Sequence, residues 1–115
     1  MTQEHYHDIQ AHDLFDAVEE VIQVSHQQGA TTIHSVVVGY NVWNAMLADL
    51  YTMDRLDTQV RRLDRRNGVV AYILGNKLLT SADSVIADPD GICVHGADTI
   101  IVASTFKWPH PWRTT

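Results

Sequence analysis

The spacing of apolar residues changes at Asn67-Gly68, and that change restricts the fold more than any other feature of the chain. Upstream, apolar residues mostly recur every three or four positions, the period of helices with one buried face. Downstream they come in short β-branched runs cut by Gly, Pro and Asp, the pattern of strands and turns. One β-branched stretch also lies between the two helical segments. Such a chain packs helices on a sheet.

His12 to Gln28 predicts an amphipathic helix, with Leu14, Val18, Val21, Ile22 and Ser25 on one side. Asp13 or Asp8 is suited to cap its start, and Gly29 to stop it. Asp16, Glu19 and Glu20 suit the positive end of its dipole. Thr31 to Val38 predicts a strand, buried at Val36-Val37-Val38. Gly39-Tyr40-Asn41 is the following turn, with Asn41 as N-cap of a second helix. Val42 to Arg66 predicts that helix. Its stripe is Met46, Leu50, Met53, Leu56, Val60 and Leu63, widened by Trp43 and Leu47. It would reach roughly 40 Å, long for so small a domain, and Thr52 to Asp57 is the place for a bend or break.

Val69 to Leu74, Lys77 to Ser81, Gly91 to His95 and Thr99 to Ser104 predict short strands. Asp88-Pro89-Asp90-Gly91 has the form of a β-turn, with Pro fixing φ and Gly expected at positive φ. The expected fold is α/β or α+β. Two helices pack on a small mixed sheet in one domain over 1–105, and an extended tail follows over 106–115.

The 115 residues, 45% of them apolar, suit one domain with its own core. The N-terminal stretch has neither the basic start nor the apolar core of a signal peptide, and no run is long enough to span a membrane. The single cysteine, Cys93, forms no internal disulfide. The expected location is therefore the cytoplasm of a host or a virion. The net charge of -6 argues against general nucleic-acid binding. Its distribution is uneven. Residues 1–50 hold no Lys or Arg but carry Glu4, Asp8, Asp13, Asp16, Glu19, Glu20 and Asp49. Five of the eight basic residues lie between Arg55 and Arg66. This asymmetry suits acid-to-base contacts between copies, and also suits simple solvated helix faces.

His5, His7 and His12, with Asp8 and Asp13, are the best metal candidates, although their spacing matches no known site and a surface cluster is the plainer reading. His34 is expected to be partly buried and hydrogen-bonded. Cys93 and His95 share a sheet face, but nothing nearby supplies the orienting group and oxyanion hole of a cysteine nucleophile. The aspartates fall at caps and turns rather than in pairs. Arg61, Arg62, Arg65 and Arg66 suit either an anion or the end of a helix. Trp108, Pro109, Pro111 and Trp112 form an extended aromatic strap that docks on its own domain or on a neighbour. No cofactor is expected.

Residues 31 to 104 resemble the axial domain of tailed-phage major capsid proteins. The resemblance rests on the strand-to-helix step HSVVVGYNVW, on Leu74-Gly75-Asn76-Lys77-Leu78-Leu79, on Ser81-Ala82-Asp83, on Pro89-Asp90-Gly91 and on Gly96-Ala97-Asp98. The chain lacks room for the family's spine helix, N-terminal arm and extended loop, and Gly96-Ala97-Asp98 has an extra residue. The resemblance implies a small, free-standing, non-enzymatic phage protein that assembles with copies of itself or other virion proteins. It brings no catalytic residues. The alternatives are a small acidic inhibitor that mimics nucleic acid on a host defence complex, and a small hydrolase using metal or Cys93.

Overall fold

The computed structural model describes residues 3–80, 88–96 and 100–107. It is an α+β fold built on a seven-stranded mixed sheet. The strands are β1 (Gln3–Asp8), β2 (Ile33–Val38), β3 (Leu56–Asp57), β4 (Val69–Ile73), β5 (Asn76–Thr80), β6 (Gly91–Gly96) and β7 (Ile100–Thr105). Their order across the sheet is β1-β7-β6-β2-β5-β4-β3. Two pairs are parallel, β1 with β7 and β2 with β5, and the rest are antiparallel.

The first helix, α1 (Leu14–Gln27), starts and stops where the sequence predicts. Asp13 caps it, accepting the backbone N–H of Phe15 at 2.9 Å, and Gly29 follows at φ 110. Its buried side, Leu14, Val18, Val21 and Ile22 among others, packs on β6 and β7. Ile92, Val94, Val102, Val36, Val38, Leu78 and Ile73 form the facing layer of the core.

The predicted long helix is not continuous. It divides into α2 (Tyr40–Ala48), α3 (Leu50–Met53), β3 and α4 (Arg62–Arg66), so among the described residues four helices stand where two were expected. Aspartates mark the breaks, because a short carboxylate competes with the helix for local bonds. Asp49 is extended between α2 and α3 and accepts the Thr52 hydroxyl at 2.6 Å. Asp57 accepts the backbone N–H of Gln59 at 2.9 Å. The breaks shift the phase of the apolar stripe. Met46 and Leu56 are buried, but Leu50 and Leu63 are exposed, and Thr52 and Asp64 are buried in their place. Asn41 does not cap α2, whose N-cap is Gly39; its side-chain amide donates instead to Asp90 at 2.9 Å.

Asp88-Pro89-Asp90-Gly91 is a turn that also ties distant elements together. The Gly91 N–H donates to Asp88 O at 3.0 Å, and Asn41 N–H to Pro89 O at 2.9 Å. Phe106 N–H donates to Asp90 O at 2.8 Å, and the Thr105 hydroxyl to Asp88 at 2.7 Å. Gly91 does not take the positive φ expected of it; it opens β6. The body of the fold runs past residue 105. Phe106 is fully packed in the core, and Lys107 pairs with Asp8 at 3.0 Å.

Candidate functional site

The two edges of the sheet differ in charge. The strand order places β1 at one edge and β3 at the other, six strand spacings of about 4.8 Å apart, or roughly 29 Å. Along β1, Glu4, Tyr6 and Asp8 are exposed while His5 and His7 turn inward. Among the described residues this strand exposes two carboxylates, Glu4 and Asp8, and Asp8 pairs with Lys107 at 3.0 Å.

The far edge is basic. Residues alternate along a strand, so Tyr72 and Lys77 project from the sheet face opposite to Ala71, Ile73 and Leu78, which lie in the core. There α4 is held down by Asp64. Its carboxylate accepts the Tyr72 hydroxyl at 2.5 Å and pairs with Lys77 at 3.5 Å. The Tyr72 hydrogen bond, helped by the charges of Lys77 and Arg61, outweighs desolvation and holds the Asp64 carboxyl below its ordinary value. With Asp64 inward, Arg62, Arg65 and Arg66 are displayed to solvent around an exposed Leu63. All four candidate arginines lie at this edge, though Arg61 sits apart from the others as the N-cap of α4.

A cleft of about 670 Å³ runs past β3 beneath Arg61. Arg55 and Lys77 bring further positive charge to it, Asp57 and Asp64 negative charge, and Phe15, Tyr72 and Leu74 apolar wall. The Arg55 guanidinium lies 3.6 Å from the centre of the Tyr51 ring and donates to Tyr51 O at 2.9 Å. The hairpin tip Leu74-Gly75 closes one side, with φ 49 and φ 78 respectively. Spacing along the sequence did not reveal this cleft. Its walls come from α1, β3, β4 and β5, which converge only in the fold.

The histidines are not gathered. Among the described residues no group of three or more His, Cys, Asp or Glu is placed to hold a metal ion. His7 Nε2 lies 2.5 Å from Glu20, and His12 is exposed in the connection to α1. The Nε2 of His5 is buried without a hydrogen-bond partner among the described residues. Burial works against ionisation of Glu20. The N–H groups of Gln10 and Ala11, with His7, outweigh it and hold the carboxyl below its ordinary value. His34 is exposed rather than partly buried, with Nδ1 3.3 Å from the Ser35 hydroxyl.

Cys93 and His95 do share a face and touch, Sγ to Nε2 at 3.5 Å. Desolvation, with the nearby charge of Glu4, pushes the Cys93 thiol up to about 11. Burial, with His34 nearby, lowers His95. A buried neutral thiol beside a neutral imidazole is the opposite of the thiolate–imidazolium pair that attacks carbonyl carbon.

Trp108, Pro109, Pro111 and Trp112 lie outside the described residues. No helix of the described residues is long and apolar enough to cross a membrane. The chain matches no protein-family model, no curated protein and no solved structure in comparisons with each.

Proposed function

We propose that this chain is a non-enzymatic assembly protein of phage structural type, which joins copies of itself or other virion components through protein–protein contacts. The observation that carries the proposal is the placement of acid and base on opposite edges of one sheet. A contact from the acidic edge of one copy to the basic edge of the next is heterologous. It closes into a ring or continues as a filament, according to the rotation between copies. The strap with Trp108, Pro109, Pro111 and Trp112 supplies a second contact in this reading.

The alternative of a nucleic-acid mimic has less support, because several of the acids are already engaged. Asp13 caps α1, Glu20 holds the β1–α1 connection, and Asp8 pairs with Lys107. A cysteine hydrolase is disfavoured by the raised Cys93 thiol.

The test is native mass by light scattering in a pair of charge-reversed variants. One carries Arg62→Glu, Arg65→Glu and Arg66→Glu; the other carries Glu4→Lys and Asp8→Lys. Each alone is expected to be monomeric, and an equimolar mixture is expected to associate. A wild-type protein that is monomeric at low salt overturns the proposal, as does a mixture that stays monomeric.

A further inference from the structure

We infer that the β3-edge cleft is a binding site for a small organic monocarboxylate with an aromatic or branched apolar body. This goes beyond the assembly reading and does not depend on it.

The volume of the cleft, about 670 Å³, falls in the range of small-molecule sites, and the cleft is broadly open to solvent. Its charges define the anion. Asp64 is already engaged by Tyr72 and Lys77, and Asp57 accepts the Gln59 N–H. Arg55 and Arg61 have no carboxylate within ion-pair distance among the described residues. Arg55 is also held in place by the ring and carbonyl of Tyr51, so little side-chain freedom remains to be lost when a ligand binds. Two guanidinium forks match the planar, two-oxygen geometry of a carboxylate. The formal balance of three cations against two carboxylates leaves one positive charge, which suits a monoanion better than a phosphate monoester.

The apolar body follows from the walls and from one strained residue. Leu74 sits at φ 49, a left-handed conformation that Asn or Gly adopts readily and Leu does not. Leucine there is less stable than asparagine in a two-residue hairpin tip, yet it places a branched apolar side chain on the cleft wall. Backbone strain of this kind accumulates at ligand sites. Phe15 and the Tyr72 ring supply the other apolar surfaces.

Sodium benzoate is the probe, titrated against the full chain by NMR at fixed ionic strength, with benzyl alcohol and sodium phosphate as controls. Benzoate is expected to bind with a Kd of about 1 mM, ordinary for a ligand of its size. It should shift the Leu74 methyl and Gly75 amide signals, and both controls should bind at least about tenfold more weakly. Arg61→Gln changes an exposed side chain and is expected to weaken benzoate about tenfold, whereas Arg65→Gln outside the cleft leaves it unchanged. Leu74→Asn is expected to raise stability while weakening benzoate severalfold. Three results would overturn the inference: no saturable benzoate shift, equal affinity in Arg61→Gln, or phosphate binding as tightly as benzoate.

Discussion

Gly39 has no room for a side chain. A Cβ there would lie 2.4 Å from Pro89 O and 2.5 Å from Asp88 O, both backbone atoms of the turn that ties β6, β7 and α2 together. Gly39→Ala is therefore expected to cost about 2–3 kcal/mol in urea denaturation. A change under 0.5 kcal/mol would mean that the turn yields readily. Glu20 makes a pH-dependent prediction. Its carboxyl is lower folded than unfolded, so its stabilisation is full above the ordinary carboxylate value and is lost as pH falls through the lowered one. Hydrogen exchange of the β1 amides should accelerate in acid before that of β6, and Glu20→Gln should bring the same loosening to neutral pH. Cys93, raised from 9.0 to about 11, has roughly a hundredfold less thiolate near neutrality than a free cysteine. Alkylation by iodoacetamide at pH 8 should be slower than in the urea-unfolded chain by at least that factor, and parity would show the thiol to be accessible and ionised. The sequence places Cys93 and His95 on one face correctly, because strand alternation is a local rule. A cysteine inside an apolar strand also suits a buried thiol, and Cys93 is buried, but how far His95 is covered depends on the whole sheet.

At the scale of elements, all five predicted strands and the first helix were legible because each announces itself within a few residues. Part of the fifth, Thr99 to Ser104, is described as β7 from Ile100 onward. The sixth strand of length, β1, was missed for a physical reason. Its inward positions are His5 and His7 rather than aliphatic residues, so alternation along Gln3–Asp8 is polar against polar. The second helix was overextended because the apolar period carries through Asp49, Asp54 and Asp57, and each of these falls at or beside an element boundary. The β3-edge cleft had no local signal at all. At α4 one hydrogen bond does much of the anchoring, since five residues make too short a helix to stand alone. Tyr72→Phe leaves the buried Asp64 with Lys77 and the nearby charge of Arg61, removes the acceptor of the Arg61 N–H, and is expected to cost about 1–2 kcal/mol. Exchange mass spectrometry should show faster exchange in α4 than in α1, and unchanged α4 protection would move its anchoring elsewhere.

Across the whole molecule, charge sorted along the chain becomes charge sorted across the sheet, because β1 and β3 end at opposite edges. That sorting was partly legible: composition shows the acidic and basic halves, but only the strand order shows that they face apart. Exposed charges are screened within about 8–10 Å at physiological salt, so association by these edges should weaken steeply between 50 and 500 mM salt in sedimentation velocity. The Arg62, Arg65 and Arg66 to Ala variant should show a flatter response, and an equal slope would exclude α4 from the contact. The two edges also differ in when they come into being. Among the described residues the strands and helix of the basic edge come from residues up to Thr80, whereas the strand that β1 pairs with is β7, about a hundred residues downstream of it. In the proposed assembly, a chain emerging from the ribosome thus holds all the residues of the basic edge well before it holds those that pair β1. Under that proposal, nascent chains crowded on one message would have no finished acidic edges to offer each other, and joining would be deferred until each molecule had folded.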